Sequence, residues 1–503
     1  MKHAGDATRV AAIDLGSSSG RVTSVDFDGE RLEFAVAHRF TTSTTTDNGL
    51  RWDIGSLTNE VFAGMGKLGL AGVPIASVGV DSWGVDYVLL DRANHVLDDP
   101  FSYRDPRNNE PLETALAEFG PEALYAASGT ELLAINTVFG LLSDARTNPR
   151  RLAESSQMLM IADYVHHLLC GSLVSERTLA STTGLYDIRH GDWSEELIAT
   201  LNLPRELFPE LVDPGTRLGP LLDFGLPGWS STEVIAPGSH DTASAVLAVP
   251  FAGTSARSAF ISSGSWSLIG REQIDPIVTP RARLANLTNE VGFADRTLVL
   301  RNAAGMWLLQ ECRRQWASEG VSLDYDEIAA LAAVEEPLVS IIDPDSLEFV
   351  AAGNMPARIR RFCERTGQPV PETIGQFARI IVDSLALGYR STLDSLVSVT
   401  GSPIDSLHVV GGGSQHDGLA QATADATRLP IHRGPAEATA LGNAGAQLIA
   451  LGELGGVSDL RAVVAASGAI VTTEPGGIDL WDRAGGRFLD LVENHSLRVR
   501  TAV

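Results

Sequence analysis

Val10-Ala11-Ala12-Ile13-Asp14-Leu15-Gly16-Ser17-Ser18-Ser19-Gly20-Arg21-Val22 joins an apolar run to a loop of small polar residues and then to an alternating run that continues to Phe27. The pattern predicts strand, tight turn, strand, with Asp14 near the end of the first strand and Asp28-Gly29 turning the chain after the second. A third strand is expected over Leu32 to Phe40. Helical periodicity follows from Ser56 to Leu70, with Leu57, Val61, Met65 and Leu68 on one face, and a buried strand at Ala76 to Val80. The order β-β-β-α-β departs from a dinucleotide fold, which places a helix directly after its first strand.

The pattern returns in the second half. Ala259 to Ile261 runs into Ser262-Ser263-Gly264-Ser265 and out along Trp266 to Gly270, and Leu407 to Val410 runs into Gly411-Gly412-Gly413 as Ser77 to Val80 runs into Asp81-Ser82-Trp83-Gly84. A loose internal duplication with unequal insertions is expected. Its boundary is placed near residue 245, after Gly238-Ser239-His240-Asp241-Thr242, giving domains over 1–245 and 246–503. No Pro/Gly/Ser-rich linker marks that boundary, so closely joined lobes with a ligand cleft between them are expected. The segment after about Gly452 is expected to pack as a helix or tail on the second lobe.

Composition narrows the function. A chain of 503 residues is long enough for two or three cores, and its net charge of −25 is spread along the sequence. That charge opposes binding to nucleic acid and to anionic membranes, so neither is an expected partner. A phosphorylated ligand must be held locally, by backbone amides, a metal ion or a few cations. Three scattered cysteines, Cys170, Cys312 and Cys363, indicate neither a disulfide framework nor a zinc site, and no uninterrupted apolar stretch of membrane-spanning length is present. A reducing, cytoplasmic setting is expected; monomer and homodimer both stay open.

Four segments can carry chemistry. In Asp14 to Arg21, small residues let backbone N–H groups converge on a phosphate, the hydroxyls of Ser17, Ser18 and Ser19 add donors, and Asp14 can hold Mg²⁺ through its water shell. The plainer reading is a Gly/Ser hairpin turn capped by Asp. In Val80-Asp81-Ser82-Trp83-Gly84-Val85-Asp86, two carboxylates and an indole suit a polyhydroxylated ligand, against a strand-end turn with a core tryptophan. In Pro237-Gly238-Ser239-His240-Asp241-Thr242, Asp241 stands near a helix N-terminus, which favours its ionised form and equips it to take a proton from an alcohol; an N-cap is its plainer role. In Gly411-Gly412-Gly413-Ser414-Gln415, bare backbone can lie against an adenine ring or a phosphate, whereas a dinucleotide fingerprint would need glycine at His416. Trp52-Asp53 and Tyr103-Arg104-Asp105 could line the sugar side, with an exposed loop aromatic and a surface ion pair as the favoured reading.

Taken in order with Ser239 to Val246, Ser262 to Leu268 and Gly305-Met306-Trp307-Leu308-Leu309-Gln310, these segments resemble the FGGY family of carbohydrate kinases from about Val10 to Leu451. The resemblance implies two α/β, ribonuclease-H-like domains of the actin and hexokinase type flanking a central cleft, with ATP and Mg²⁺ as cofactors. The N-terminal domain would serve sugar and phosphate and the C-terminal domain the nucleotide. It implies that Ser17, Ser18, Ser19, Gly20 and Arg21 approach the ATP phosphates beside Asp14 and its metal. Gly264, Ser265, Gln310, Gly411, Gly412 and Gly413 would hold the nucleotide from the other side. Gly84, His240, Asp241, Thr242 and Asn302 fall where relatives contact sugar, joining Asp81, Trp83 and Asp86. Asp241 is the expected general base, deprotonating the 1-hydroxyl of a ketose, with L-rhamnulose favoured by the Asp81 to Asp86 segment. Ser265 stands where the family more often has threonine, keeping the hydroxyl.

Three alternatives remain at this stage. Relatives handle L-fuculose, xylulose or a linear autoinducer-type polyol, and one side chain can redirect sugar choice. A non-catalytic sugar sensor, or an actin-like ATPase module, shares the fold but would be expected to lack the carboxylate at Asp241. An NAD-linked dehydrogenase is opposed by the missing fingerprint.

Overall fold

The structure is a computed structural model that describes residues 7–251, 257–468 and 470–501. The chain forms two compact units: Met1–Pro250 with Glu272–Val299 and Glu437–Ala469, and Phe251–Arg271 with Leu300–Ala436 and Ile470–Val503. This division is discontinuous, where the sequence suggests one boundary near residue 245.

In the first unit, β1 (Thr8–Leu15), β2 (Ser19–Phe27) and β3 (Leu32–Thr41) form an antiparallel meander, as their alternation predicts. Helix α1 (Ile54–Gly69) begins two residues before the predicted start because Asp53 caps it, its Oδ1 accepting from Ser56 N at 2.8 Å. Strand β4 (Ser77–Ser82) runs parallel to β1 and extends past the predicted Val80, since Asp81 and Ser82 stay in register with Asp14 and Leu15. Helix α2 (Ile161–Cys170) packs on β4, and β5 (Arg217–Pro220) and β6 (Glu233–Ile235) complete a sheet of order β5-β6-β4-β1-β2-β3. β1 is buried almost throughout, as expected of an inner strand covered on both faces, whereas β3 at the edge is largely open. Helix α3 (Asp241–Leu247) follows β6.

In the second unit, β7 (Ser258–Ser263), β8 (Trp266–Gln273), β9 (Thr297–Ala304), β10 (Ser406–Val410), β11 (Ile431–Arg433) and β12 (Val471–Thr473) lie in the order β9-β8-β7-β10-β11-β12. Helices α4 (Trp307–Ser318), α5 (Ile374–Thr400) and α6 (Asp417–Thr427) belong to the same unit. The expected duplication is explicit in the pairing. β7 is antiparallel to β8 and parallel to β10, and β10 is parallel to β11, as β1 is antiparallel to β2 and parallel to β4, and β4 is parallel to β6. The Gly16–Ser18 loop and Gly264-Ser265 therefore occupy equivalent turns.

Helix α7 (Ala438–Leu451) belongs to the first unit. A buried polar seam fastens it there: Gln447 Oε1 accepts from Ser77 Oγ at 2.7 Å, Gln447 Nε2 donates to Ala11 O at 2.9 Å, and Asn443 Nδ2 donates to Asp81 Oδ2 at 2.6 Å. Satisfied polar groups of this kind fix one docking geometry, because sliding the helix would strand each of them unpaired. The helix Val457–Ser467 also lies in the first unit, where Arg461 Nη2 donates to Glu272 Oε1 at 2.6 Å. Only the later part of the segment after Gly452, including the helix Ile478–Thr501, falls in the second unit, against the expectation for the whole of it. Among the described residues no helix is long and apolar enough to cross a membrane.

Gly442 lets α7 lie against α3, since a Cβ there would stand 1.8 Å from Ser244 O. Gly442→Ala is expected to lower stability by about 1–3 kcal/mol through overpacking. Chemical denaturation checks this, and a variant as stable as the wild type would refute the close packing.

Candidate active site

The segment leading into α3 is held by buried acceptors and donors that no motif announced. Glu176 Oε2 accepts from Ser239 N at 3.0 Å, Thr178 Oγ1 accepts from His240 N at 2.9 Å, and Ser82 N donates to Ser239 O at 2.8 Å. Glu176 also accepts from the Thr178 hydroxyl and backbone, which locks the pair together. Burial pushes the Glu176 carboxyl up to about 7, against its hydrogen bonds. The consequence is a rigid approach to Asp241.

Asp241 is the first residue of α3 and does not cap it; His240 occupies the cap position, without a side-chain cap bond. The carboxylate keeps 32% of its surface exposed, and its Oδ1 accepts from Thr242 Oγ1 at 3.2 Å. Burial pushes its pKa up to about 6, with His240 pulling it down and Asp14 pushing it up. The sequence reading of an ionised carboxylate at pH 7 is compatible with that value, but burial outweighs the helix end. His240 Nε2 is 3.5 Å from Asp241 Oδ1, and His240 Nδ1 is 3.1 Å from Glu290 Oε2. Burial lowers the imidazole pKa, and Glu290, Asp241 and Glu176 together more than offset it, raising it to about 8. Thr242 is buried behind Asp241.

Asp14 and Asp81 are register partners on β1 and β4. Arg21 on β2 reaches Asp14 Oδ2 from Nε at 2.8 Å and also pairs with Glu437, so the cation expected at a phosphate is engaged by carboxylates of its own unit. Asp81 is fully buried, and its pKa is raised well above the ordinary range by burial and by Asp14. Its Oδ2 takes the Asn443 amide, and its buried Oδ1 has no hydrogen-bond partner among the described residues. Ser18 and Ser19 are exposed on the β1–β2 turn and Ser17 is half-buried, while Gly20 is buried because a Cβ there would enter the Phe40 ring at 2.3 Å.

The Asp81 to Asp86 segment differs most from its reading as an array of sugar-binding carboxylates. Asp86 Oδ2 accepts both indole N–H groups, from Trp52 at 2.5 Å and from Trp83 at 2.8 Å, and the two rings pack with centroids 4.5 Å apart. Asp86 thus orients two indoles, and burial pushes its pKa up to about 7. Trp52 and Tyr103, read from the sequence as exposed, are buried members of this cluster, their rings 6.5 Å apart. A strand too short to show alternation carries Trp52, which explains why its environment was not legible. The connection is clamped: a Cβ on Gly84 would meet Thr182 at 2.9 Å, Val85 N donates to Thr182 Oγ1 at 3.0 Å, and Val85 holds φ of 68°. A β-branched residue in that region is strained and persists only where its surroundings dictate it.

In the second unit, Ser265 Oγ donates to Gln310 Oε1 at 3.0 Å, while Met306 N and Trp307 N donate to Gly264 O and Ser265 O at 3.0 and 3.1 Å. Three sequence-predicted residues are therefore tied to one another. Gly411 and Gly413 are required by packing, since a Cβ would come within 2.8 Å of Ser263 O or 2.0 Å of Ser263 Oγ. Gly412 is different: it is exposed, and a Cβ there would meet nothing within 4 Å. Asn302 is half-buried on β9 of this unit. Glu176, Thr178 and Glu290 are the site-building residues that sequence reasoning missed.

Comparison with known proteins identifies the family. Residues 10–248 match the N-terminal domain of the FGGY family of carbohydrate kinases, and residues 259–451 match its C-terminal domain. The chain is 40% identical over 456 residues to a rhamnulokinase of Pectobacterium atrosepticum, covering 90% of each, and 38% identical over 464 residues to one of Yersinia pestis, covering 91% of this chain and 93% of the relative. Its fold is similar to those of the xylulose kinase of Lactobacillus acidophilus (TM-score 0.80, 15% identity, 97% and 98% of the two chains) and the glycerol kinase of Plasmodium falciparum (TM-score 0.75, 14% identity, 98% of each). With both domain types matched in order along one chain, and with sugar kinase relatives alike over nine-tenths of it, this protein belongs to the FGGY family of carbohydrate kinases and is a sugar kinase that uses ATP.

Proposed function

We propose that this enzyme phosphorylates a ketose at its 1-hydroxyl, with L-rhamnulose as the acceptor and L-rhamnulose 1-phosphate as the product in cytoplasmic L-rhamnose catabolism, and that Asp241 is the general base. The observation that carries the reading is the Asp241 carboxylate: partly open, ionised at neutral pH, and mounted on a backbone that Glu176, Thr178 and Ser82 hold from below. The similarity to rhamnulokinases supports the choice of sugar.

Asp241 takes the proton of the attacking hydroxyl as its oxygen bonds to the γ-phosphorus and the bond to ADP breaks. A pKa of about 6 leaves the group mostly ionised at pH 7 yet nearer the operating pH than an ordinary carboxyl, which favours proton acceptance. His240 and Thr242 would orient the hydroxyl, and the Trp52–Trp83 pair would cover the C–H face of the sugar. In the first unit the exposed backbone at Ser18 and Ser19 is available to phosphate oxygens; in the second, taken by itself, the exposed backbone at Gly264 and Gly412 is available to the nucleotide, with Gln310 fixing the Ser265 turn.

The donor set also fits Mg²⁺. That ion characteristically takes one or two protein carboxylates and otherwise water and phosphate oxygens, so Asp14 suffices, and the absence of any metal-like cluster of three acidic, His or Cys side chains among the described residues is no obstacle. When bound it would offset charge on the β- and γ-phosphates.

Three predictions test this reading. In a coupled ADP-release assay with L-rhamnulose, L-fuculose, L-xylulose and D-xylulose, turnover should be strongest on L-rhamnulose, and Asp241→Asn should lower kcat by about 10²–10⁴-fold. The wild-type kcat/KM should fall on acidification through about pH 6, because the base must be deprotonated and its pKa is raised to about 6. Full activity in the variant would remove Asp241 as base, and a preference for another ketose would move the substrate. Gly412→Ala should leave the melting temperature unchanged, because its Cβ meets nothing in the fold, yet raise KM for ATP about tenfold, equivalent to ~1.4 kcal/mol of lost contact. An unchanged KM would place the nucleotide elsewhere.

A further inference from the structure

Glu290 lies on the short strand Thr288–Val291, outside every segment that the sequence singled out. Its side chain is buried, at 5% exposure, and Oε2 stands 3.1 Å from His240 Nδ1. The opposite nitrogen of the same ring, Nε2, stands 3.5 Å from Asp241 Oδ1. The result is a line of acid, imidazole and acid that ends at the carboxylate proposed as the base. Burying a carboxylate against an imidazole is costly unless the pairing is held in place. Here it is: Asn289 N and Nδ2 both donate to Gly129 O, at 3.0 and 2.9 Å, Asn289 Oδ1 accepts from Ile277 N at 2.6 Å, and Val291 N donates to Ser181 Oγ at 3.0 Å.

The backbone beneath His240 is secured by Thr178 and Glu176, which leaves the rotation and charge of the ring to its side-chain neighbours. We propose that Glu290 is a positioning residue for the kinase reaction, pairing with Nδ1 so that the His240 ring stays turned with Nε2 toward the Asp241 carboxylate. The inference rests on Asp241 acting as the base of a sugar kinase. It differs in kind from a sugar contact, because Glu290 acts through His240.

The charges facing His240 are Glu290 from its strand, Asp241 from α3 and Glu176 from the connection before Arg177. Those facing Asp241 are His240 and Asp14, and Asp241 in turn acts on Asp81. Glu290 is the largest of the attractions that hold the imidazole at about 8, so removing its charge lets burial pull His240 toward the neutral form. Asp241 then loses its adjacent cation while keeping burial and Asp14, and its own pKa rises. The acid limb of the rate profile must therefore move to higher pH.

The test uses the full-length protein as wild type, Glu290→Gln and Glu290→Asp. NMR titration of ring-labelled histidine, with His240 assigned by comparison with His240→Gln, reads the imidazole directly. Steady-state kinetics between about pH 5.5 and 9 read Asp241 through the acid limb. In Glu290→Gln we expect the His240 pKa to fall by about one unit or more, the acid limb of kcat/KM to rise by about half to one unit, and kcat at pH 7 to fall about tenfold, with KM for ATP unchanged. Glu290→Asp should recover part of each change. A His240 titration that is the same in wild type and Glu290→Gln overturns the inference whether or not sugar is turned over, as does an unmoved acid limb with activity lost only in proportion to unfolded protein. A folded wild type without turnover on any ketose would instead overturn the kinase reading, and the NMR titration would still decide whether Glu290 governs His240.

Discussion

The site is organised around the crowding of like charge that follows from one strand register. Pairing β1 with β4 places Asp14 opposite Asp81, and the bridge from Ser82 to His240 brings Asp241 toward both. Three carboxyls at low dielectric cannot all stay ionised without compensation. Each receives a different answer. Asp14 is paired with Arg21, Asp81 is enclosed with the Asn443 amide and driven toward its neutral form, and Asp241 is set beside His240. The difference in environments leaves Asp241 partly exposed, with its pKa raised toward neutrality. Much of the rest of the first unit serves this arrangement: α7 supplies Asn443, and Glu437 immediately before it supplies the second partner of Arg21.

How much of this was legible follows from the range of each interaction. The β1–β2 turn, the α1 face and the glycine-rich end of β10 are local patterns, set by alternation, helical period and turn residues, and the structure has them within a few residues. Asp241 was legible as well, because a short apolar strand ending in Pro-Gly before a run of small residues marks a helix start. Glu176, Thr178 and Glu290 were not, since their partners lie some tens of residues away and no period or spacing links them. Asp86 illustrates the converse limit of residue type. Its residue type suggested a sugar ligand, whereas its carboxylate is occupied by two indoles, one of which comes from Trp52, far earlier in the chain.

The glycines divide on a similar physical ground. Gly20, Gly84, Gly411 and Gly413 lack a side chain because the fold leaves no room for one, and each reports packing. Gly412 is not constrained in that way, so its bareness is intelligible only toward something outside the folded chain. A run of three glycines thus contains two structural residues and one available to a ligand, a distinction that sequence cannot make and neighbouring atoms can.

The net charge of −25 is consistent with this local scheme. A surface of that sign repels a free triphosphate at long range, so attraction must come from groups whose field acts over a few ångströms: backbone N–H dipoles, a divalent ion and paired cations. Arg21 shows why a cation alone would be insufficient. With Asp14 and Glu437 both against it, the guanidinium contributes little net positive field beyond its own ion pairs. The same reasoning applies to His240, whose charge is flanked by Glu290 and Asp241 and so is spent within the protein. Cations of the first unit, Arg21 and His240, are therefore engaged by neighbouring acids of the same unit.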